Sequence, residues 1–155
     1  MKEVNSYQYR RYLYEYDLWV EPEADRFRQV SAAFYRSNPS CTNRLLPWLN
    51  RELRALLGYQ FDIEYVLQKI MTALTRHEIA SEFFKRMLEP FLMDKTHHFL
   101  HELYHFAKST HSMEYYSTRA VYVPRDNVEI LQRVPQRIQH WERPHLNLVL
   151  IQILC

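Results

Sequence analysis

Between residues 23 and 108 apolar side chains recur with the helical period, broken at short intervals by stop and start signals. The clearest run is Leu45, Leu49, Leu53 and Leu56, widened by Leu46 and Leu57, which is the stripe of an amphipathic helix. Asn38-Pro39 ends whatever helix precedes it, because the residue before proline is pushed out of the α region. Ser40, Thr42 and Asn43 are candidate N-caps for the next helix. Gly58, the one glycine in the chain, stands where a helix wants a left-handed residue at its end. Pro47 must then lie near the helix start or kink it.

The same pattern predicts four more helices. Phe27, Val30, Ala33 and Phe34 mark one from Glu23 to Arg36. Asp62 caps another running to Leu74, with Ile63, Val66, Leu67 and Ile70 inward. Thr75-Arg76-His77-Glu78 fits a capping box and opens a helix bearing Ile79, Phe83, Phe84, Met87 and Leu88, which Pro90 interrupts. Asp94 or Thr96 caps the last, to Lys108, with Phe99, Leu103 and Phe106 inward. On either side the pattern fades. Tyr7, Tyr9, Tyr12, Tyr14, Tyr16 and Trp19 crowd residues 1–22; the alternation of Tyr12, Tyr14 and Tyr16 suits a short strand but has no evident hairpin partner, and an arm laying its rings on the core is the favoured reading. Residues 111–155 read as an irregular tail closing on an apolar, β-prone run that must either pack or continue. The fold expected is all-α: a compact bundle of about five helices over residues 23–110, with an aromatic arm before it and the tail after it.

Composition sharpens this picture. Of 155 residues 47% are hydrophobic and 15% aromatic, enough for a real core and too many for a disordered segment. A single glycine argues against a sheet protein, which needs glycine at hairpins and bulges. The net charge of +2 gives no overall attraction to nucleic acid, so such binding would need a local patch. Cys41 and Cys155 make no disulfide framework, and reduced thiols fit a cytosolic or nuclear setting. Cys41, at a helix entrance, is expected to pack. No apolar run has the length of a membrane span.

The sharpest chemical motif is His101-Glu102-Leu103-Tyr104-His105, the H-E-x-x-H pattern in which two histidines one turn apart bind zinc and the glutamate activates water. His111 even occupies the place of a third ligand, but Lys108 replaces the glycine that would swing it round to the metal. The alternative is a solvated face shared by His97, His98, His101, His105 and Lys108, opposite Phe99, Leu103 and Phe106. Arg44, Arg51 and Arg54 form a basic face able to meet phosphate or an acidic partner, with Trp48 fixing the helix that presents them. No C-x-x-C pair and no glycine-rich phosphate loop is present.

Three blocks then resemble a known family. Ser31–Cys41 (S-A-A-F-Y-R-S-N-P-S-C), Arg44–Leu53 (R-L-L-P-W-L-N-R-E-L) and Pro90–Ser109 (P-F-L-M-D-K-T-H-H-F-L-H-E-L-Y-H-F-A-K-S) resemble the region after the RING finger in the Topors family of nuclear ubiquitin- and SUMO-protein ligases. Pro47-Trp48-Leu49 is similar to the signature of the PWI fold, a small helical bundle linked to nucleic-acid binding. The resemblance implies a nuclear PWI-like domain that positions a protein partner, a ligase substrate, DNA or RNA. It implies no cofactor; zinc enters only under the hydrolase alternative through His101, His105, His111 and Glu102. A ubiquitin-conjugating enzyme would dock only through a RING, for which these residues hold no cysteine pattern.

Overall fold

The computed structural model describes residues 6–23 and 27–132, with side chains as far as Val128. The chain is mostly helical. In order come α1 (Tyr7–Glu15), β1 (Leu18–Val20), α2 (Ala32–Ser37), a 3-10 helix (Pro39–Leu45), α3 (Leu46–Leu57), α4 (Ile63–Leu74), α5 (Glu82–Leu92), a 3-10 turn (Met93–Lys95), α6 (Thr96–Lys108), α7 (Met113–Arg119), β2 (Tyr122–Pro124) and α8 (Arg125–Gln132). The helix α3 lies at the centre, packed on α1 and α4, while α5 packs on α6. Leu45, Leu49 and Leu53 are fully buried, and Trp48 is sealed with them, stacked on Phe106 at 5.5 Å with Phe99 at 5.8 Å. The core of the expected bundle is therefore the core observed.

Local signals explain much of this. Pro47 sits in the first turn of α3, where its missing N–H costs nothing. Gly58 ends α3 at φ 69°, ψ −162°, a region open essentially to glycine alone. Its N–H still caps Arg54 O.

Several expected boundaries fall elsewhere. Residues 27–31 are not helical, and α2 begins only at Ala32, burying Ala32 and Tyr35 in place of the Phe27 stripe. Ser40, Thr42 and Asn43 lie inside the 3-10 segment, so α3 starts without a side-chain cap. The capping box does not form: α5 starts after Ser81, whose hydroxyl accepts from Phe84 N–H. Glu78 instead accepts the N–H of Ala32 at 2.8 Å and so caps α2 from a distance. Pro90 does not stop α5, which runs on to Leu92 and turns at Met93, held at φ 51°. Neither Asp94 nor Thr96 caps α6; Thr96 Oγ1 donates back to Met93 O.

The largest difference is at the flanks. The aromatic arm is helix α1, capped by Ser6, followed by β1. Its β1 pairs antiparallel with β2 in the supposed tail, Leu18 opposite Pro124 and Val20 opposite Tyr122. The missing hairpin partner of the tyrosine-rich segment was thus on the far side of the bundle in sequence. The terminal apolar run lies outside the described residues.

Candidate functional site

The chemistry-bearing side chains converge where α1, α3, α6 and the small sheet meet. Glu52 lies on the same stripe as Leu45, Leu49 and Leu56, so α3 carries a carboxylate into the core, where it is fully buried. Arg10 of α1 closes on it with a two-pronged pair, Nε to Oε2 and Nη2 to Oε1, both 2.8 Å. Tyr14 Oη donates to Oε1 at 2.7 Å, and Arg51 Nε donates to Oε2 at 2.8 Å. Arg51 also reaches Ser117 Oγ on α7, and Arg10 Nη1 donates to Tyr122 Oη on β2 at 2.5 Å. Burial alone would push the Glu52 carboxyl up, but Arg10 and Arg51 outweigh it and hold the group below its ordinary value. Arg10, penalised by the same burial, is held well above its own.

The helix α6 supplies the second half of the cluster. Glu102 shares the core stripe with Phe99, Leu103 and Phe106, and its Oε1 lies 3.5 Å from Arg10 Nη2. Its Oε2 accepts the N–H of Val20 at 2.8 Å. His98 Nε2 and His101 Nε2 donate to the carbonyls of Leu18 and Val20, at 3.0 and 2.9 Å. The three side chains therefore grip the backbone of β1 in place of a neighbouring strand. Trp19, between those two carbonyls, stacks on His98 at 4.6 Å and meets His101 at 4.8 Å. Burial lowers His98 to about 3 and His101 to about 4, so both rings are neutral at pH 7. Burial raises Glu102 to about 8, against the pull of Arg10 and the Val20 N–H.

This geometry does not fit zinc. Glu102 is turned to Arg10 and Val20, and His101 Nε2 is taken up by the Val20 carbonyl. His105 touches the His101 ring at 4.5 Å, but His111 points to Glu23 at 3.6 Å and to Tyr115. Among the described residues no group of three or more His, Cys, Asp or Glu is placed to hold a metal. The solvated histidine face is corrected as well, since His98 is buried and His101 nearly so. The partner that covers them is β1, which the pattern of α6 alone does not reveal.

The three arginines of the expected basic face are not presented together. Arg44 turns inward and donates to the carbonyls of Phe106, Ser109 and His111, closing the C-terminal end of α6, with its guanidinium 4.4 Å from the Phe106 ring. Burial first, then Arg28, lowers it to about 10, and it stays charged. Arg51 is buried on Glu52. Arg54 alone reaches outward, lying over the exposed Tyr59 ring at 4.3 Å while donating to Gly58 O. Trp48 is buried in the core beneath α3 and offers nothing to solvent. Cys41 is exposed, contrary to the packed position expected of it.

Residues 33–109 match the family described as Topors, PWI-like domain. The chain belongs to this family. The ligase named E3 ubiquitin-protein ligase Topors is 38% identical over 125 residues in mouse and in human, covering 79% of this chain. The Drosophila melanogaster protein of the same name is 34% identical over 130 residues, 81% of this chain. The chain spans only 12% of the length of each of these relatives. No solved structure matches it. Arg10, Tyr14, Val20 and Tyr122 all lie outside residues 33–109, so the buried cluster joins that PWI-like span to its two flanks.

Proposed function

We propose that the chain is a non-catalytic binding and scaffold domain of a Topors-like ubiquitin- and SUMO-protein ligase, acting in the nucleus. It holds a protein partner or substrate for a RING finger supplied elsewhere. One observation carries this reading: Arg10, Arg44, Glu52, His98, His101 and Glu102 are all turned onto partners inside the fold. What the described residues turn outward is, on this reading, surface for recognition.

The test is a graft. Replacing the matching segment of the mouse ligase by this chain should restore substrate ubiquitylation lost when the segment is deleted. Discharge of a ubiquitin-charged conjugating enzyme should be the same with the segment, without it and with the graft. Absence of rescue, or loss of discharge on deletion, overturns the proposal.

A second reading, nucleic-acid binding, is favoured by the Arg54 and Tyr59 pair. Tyr59 is 77% exposed and is met edge-on by Tyr7 at 6.5 Å. Rings beside a guanidinium suit base stacking next to phosphate.

A further inference from the structure

A groove of about 470 Å³ opens between α4 and α5. Ala73 and Met87 lie along it, and the half-exposed rings of Tyr65 and Phe83 stand at its sides. Lys69, Arg76 and His77 add cationic and polar groups. Lys69 Nζ sits 5.1 Å from the centre of the Tyr65 ring, and His77 stacks on Phe83 at 3.6 Å. Arg76 is exposed, and its guanidinium has no hydrogen-bond or ion-pair partner among the described residues. Among the described residues no carboxylate lines the groove. This differs from the exposed Arg119, which has Glu23 at 3.4 Å.

We propose that this groove binds an acidic segment of a partner protein that carries bulky apolar side chains. The inference rests on the reading of the chain as a binding domain and names the class of partner. An amphipathic peptide helix laid between two helices would seat its apolar side chains against Met87, Phe83 and Tyr65. Its carboxylates would meet Lys69 and Arg76, which no carboxylate among the described residues of the groove answers. Single-stranded nucleic acid fits less well, because it follows a track of cations along its backbone, whereas here two cations flank an apolar depression.

Fluorescence anisotropy on the whole chain tests this. The probe is a labelled amphipathic peptide of about 15 residues with Leu and Phe on one face and Glu on the other. The controls are the same peptide with Lys for every Glu, and an oligouridine of similar length. The Glu peptide should bind at least about tenfold tighter than the Lys peptide. The double variant Lys69→Glu/Arg76→Glu should reverse that order. Phe83→Ala should weaken both peptides, and thermal melts of all variants should match the parent. Equal binding of the two peptides, absence of binding, indifference to either variant, or displacement by oligouridine overturns the proposal. Self-association that Phe83→Ala abolishes also overturns it, by giving the groove to a second copy. A chain that rescues ubiquitylation in the graft but fails here keeps its scaffold role and loses the groove. Peptide binding without rescue does the opposite.

Discussion

Arg10 holds both oxygens of Glu52 at 2.8 Å across 42 residues of chain, and both side chains are buried. The pair ties α1 to α3, while Tyr122 and Glu102 extend it to the sheet and α6. Two charges taken out of water repay their desolvation only while both remain and their other lone pairs are satisfied. Arg10→Ala should therefore cost about 3–5 kcal/mol, measured as a fall in the urea midpoint. A loss below about 1 kcal/mol, the range of surface pairs, would mean that water reaches the site.

Residues 33–109, the span that matches the PWI-like domain, include Glu52 but not Arg10. A fragment of residues 33–109 keeps Glu52, Arg51 and Glu102 but loses Arg10, Tyr14, Val20 and Tyr122. It should melt well below a fragment of residues 6–132, with the cooperativity of its transition reduced. Equal melting temperatures would show that the flanks merely rest on the core.

Stability should pass through a maximum near neutral pH. Burial holds His98 at about 3 and His101 at about 4, below their ordinary 6.5. The unfolded chain thus takes up protons first as pH falls below 6.5, and stability drops with it. Glu102, held at about 8 from an ordinary 4.5, acts in the other direction: the folded chain keeps a proton that the unfolded chain has lost, and stability falls as pH rises towards 8. Below 6.5 two histidines outweigh one carboxyl; above it the carboxyl acts without them. Urea midpoints from acid to alkaline buffer should trace the dome, and Glu102→Gln should flatten its alkaline side. A midpoint that climbs steadily through pH 8 would refute the assignment.

Arg44 is a capping residue in disguise. Its guanidinium gives a charged donor to the carbonyls of Phe106 and Ser109 where α6 ends, alongside the Ser109 N–H and hydroxyl that also reach Phe106 O. Hydrogen bonds from a charged donor contribute about 1.5–3 kcal/mol, so Arg44→Ala should destabilise by about that amount. Arg54→Glu should leave the melting temperature within a degree or so, because surface changes of this kind cost about 0.5 kcal/mol or less. If Arg54 contacts phosphate, the same variant should weaken single-stranded RNA binding and lessen its salt dependence.

The core was largely legible in the sequence. Leu45, Leu49, Leu53, Phe99, Leu103 and Phe106 keep the helical period, and all six are buried. Glu52 and Glu102 stand on those same apolar stripes, a signal the reading of the helices passed over; only a partner buried with them makes such positions tenable. What could not be read locally was the partner itself. Arg10 arrives from a helix that looked like an arm, because a segment crowded with tyrosines and charges shows little apolar periodicity. The pairing of β1 with β2 is non-local, and three-residue strands leave almost no alternation to detect. The role of the H-E-L-Y-H motif was hidden for the same reason: His101 and Glu102 serve the backbone of a strand that α6 does not itself encode.

The direction of that strand pairing also has a mechanical consequence. Leu18 and Pro124 face each other, at the end of β1 where the chain arrives and the end of β2 where it departs. Tension applied through the two ends of the chain would therefore load the ladder like a zipper, one hydrogen bond at a time, instead of shearing all of them together. The flanks should peel from the bundle at low force, well before the helices around Trp48 yield.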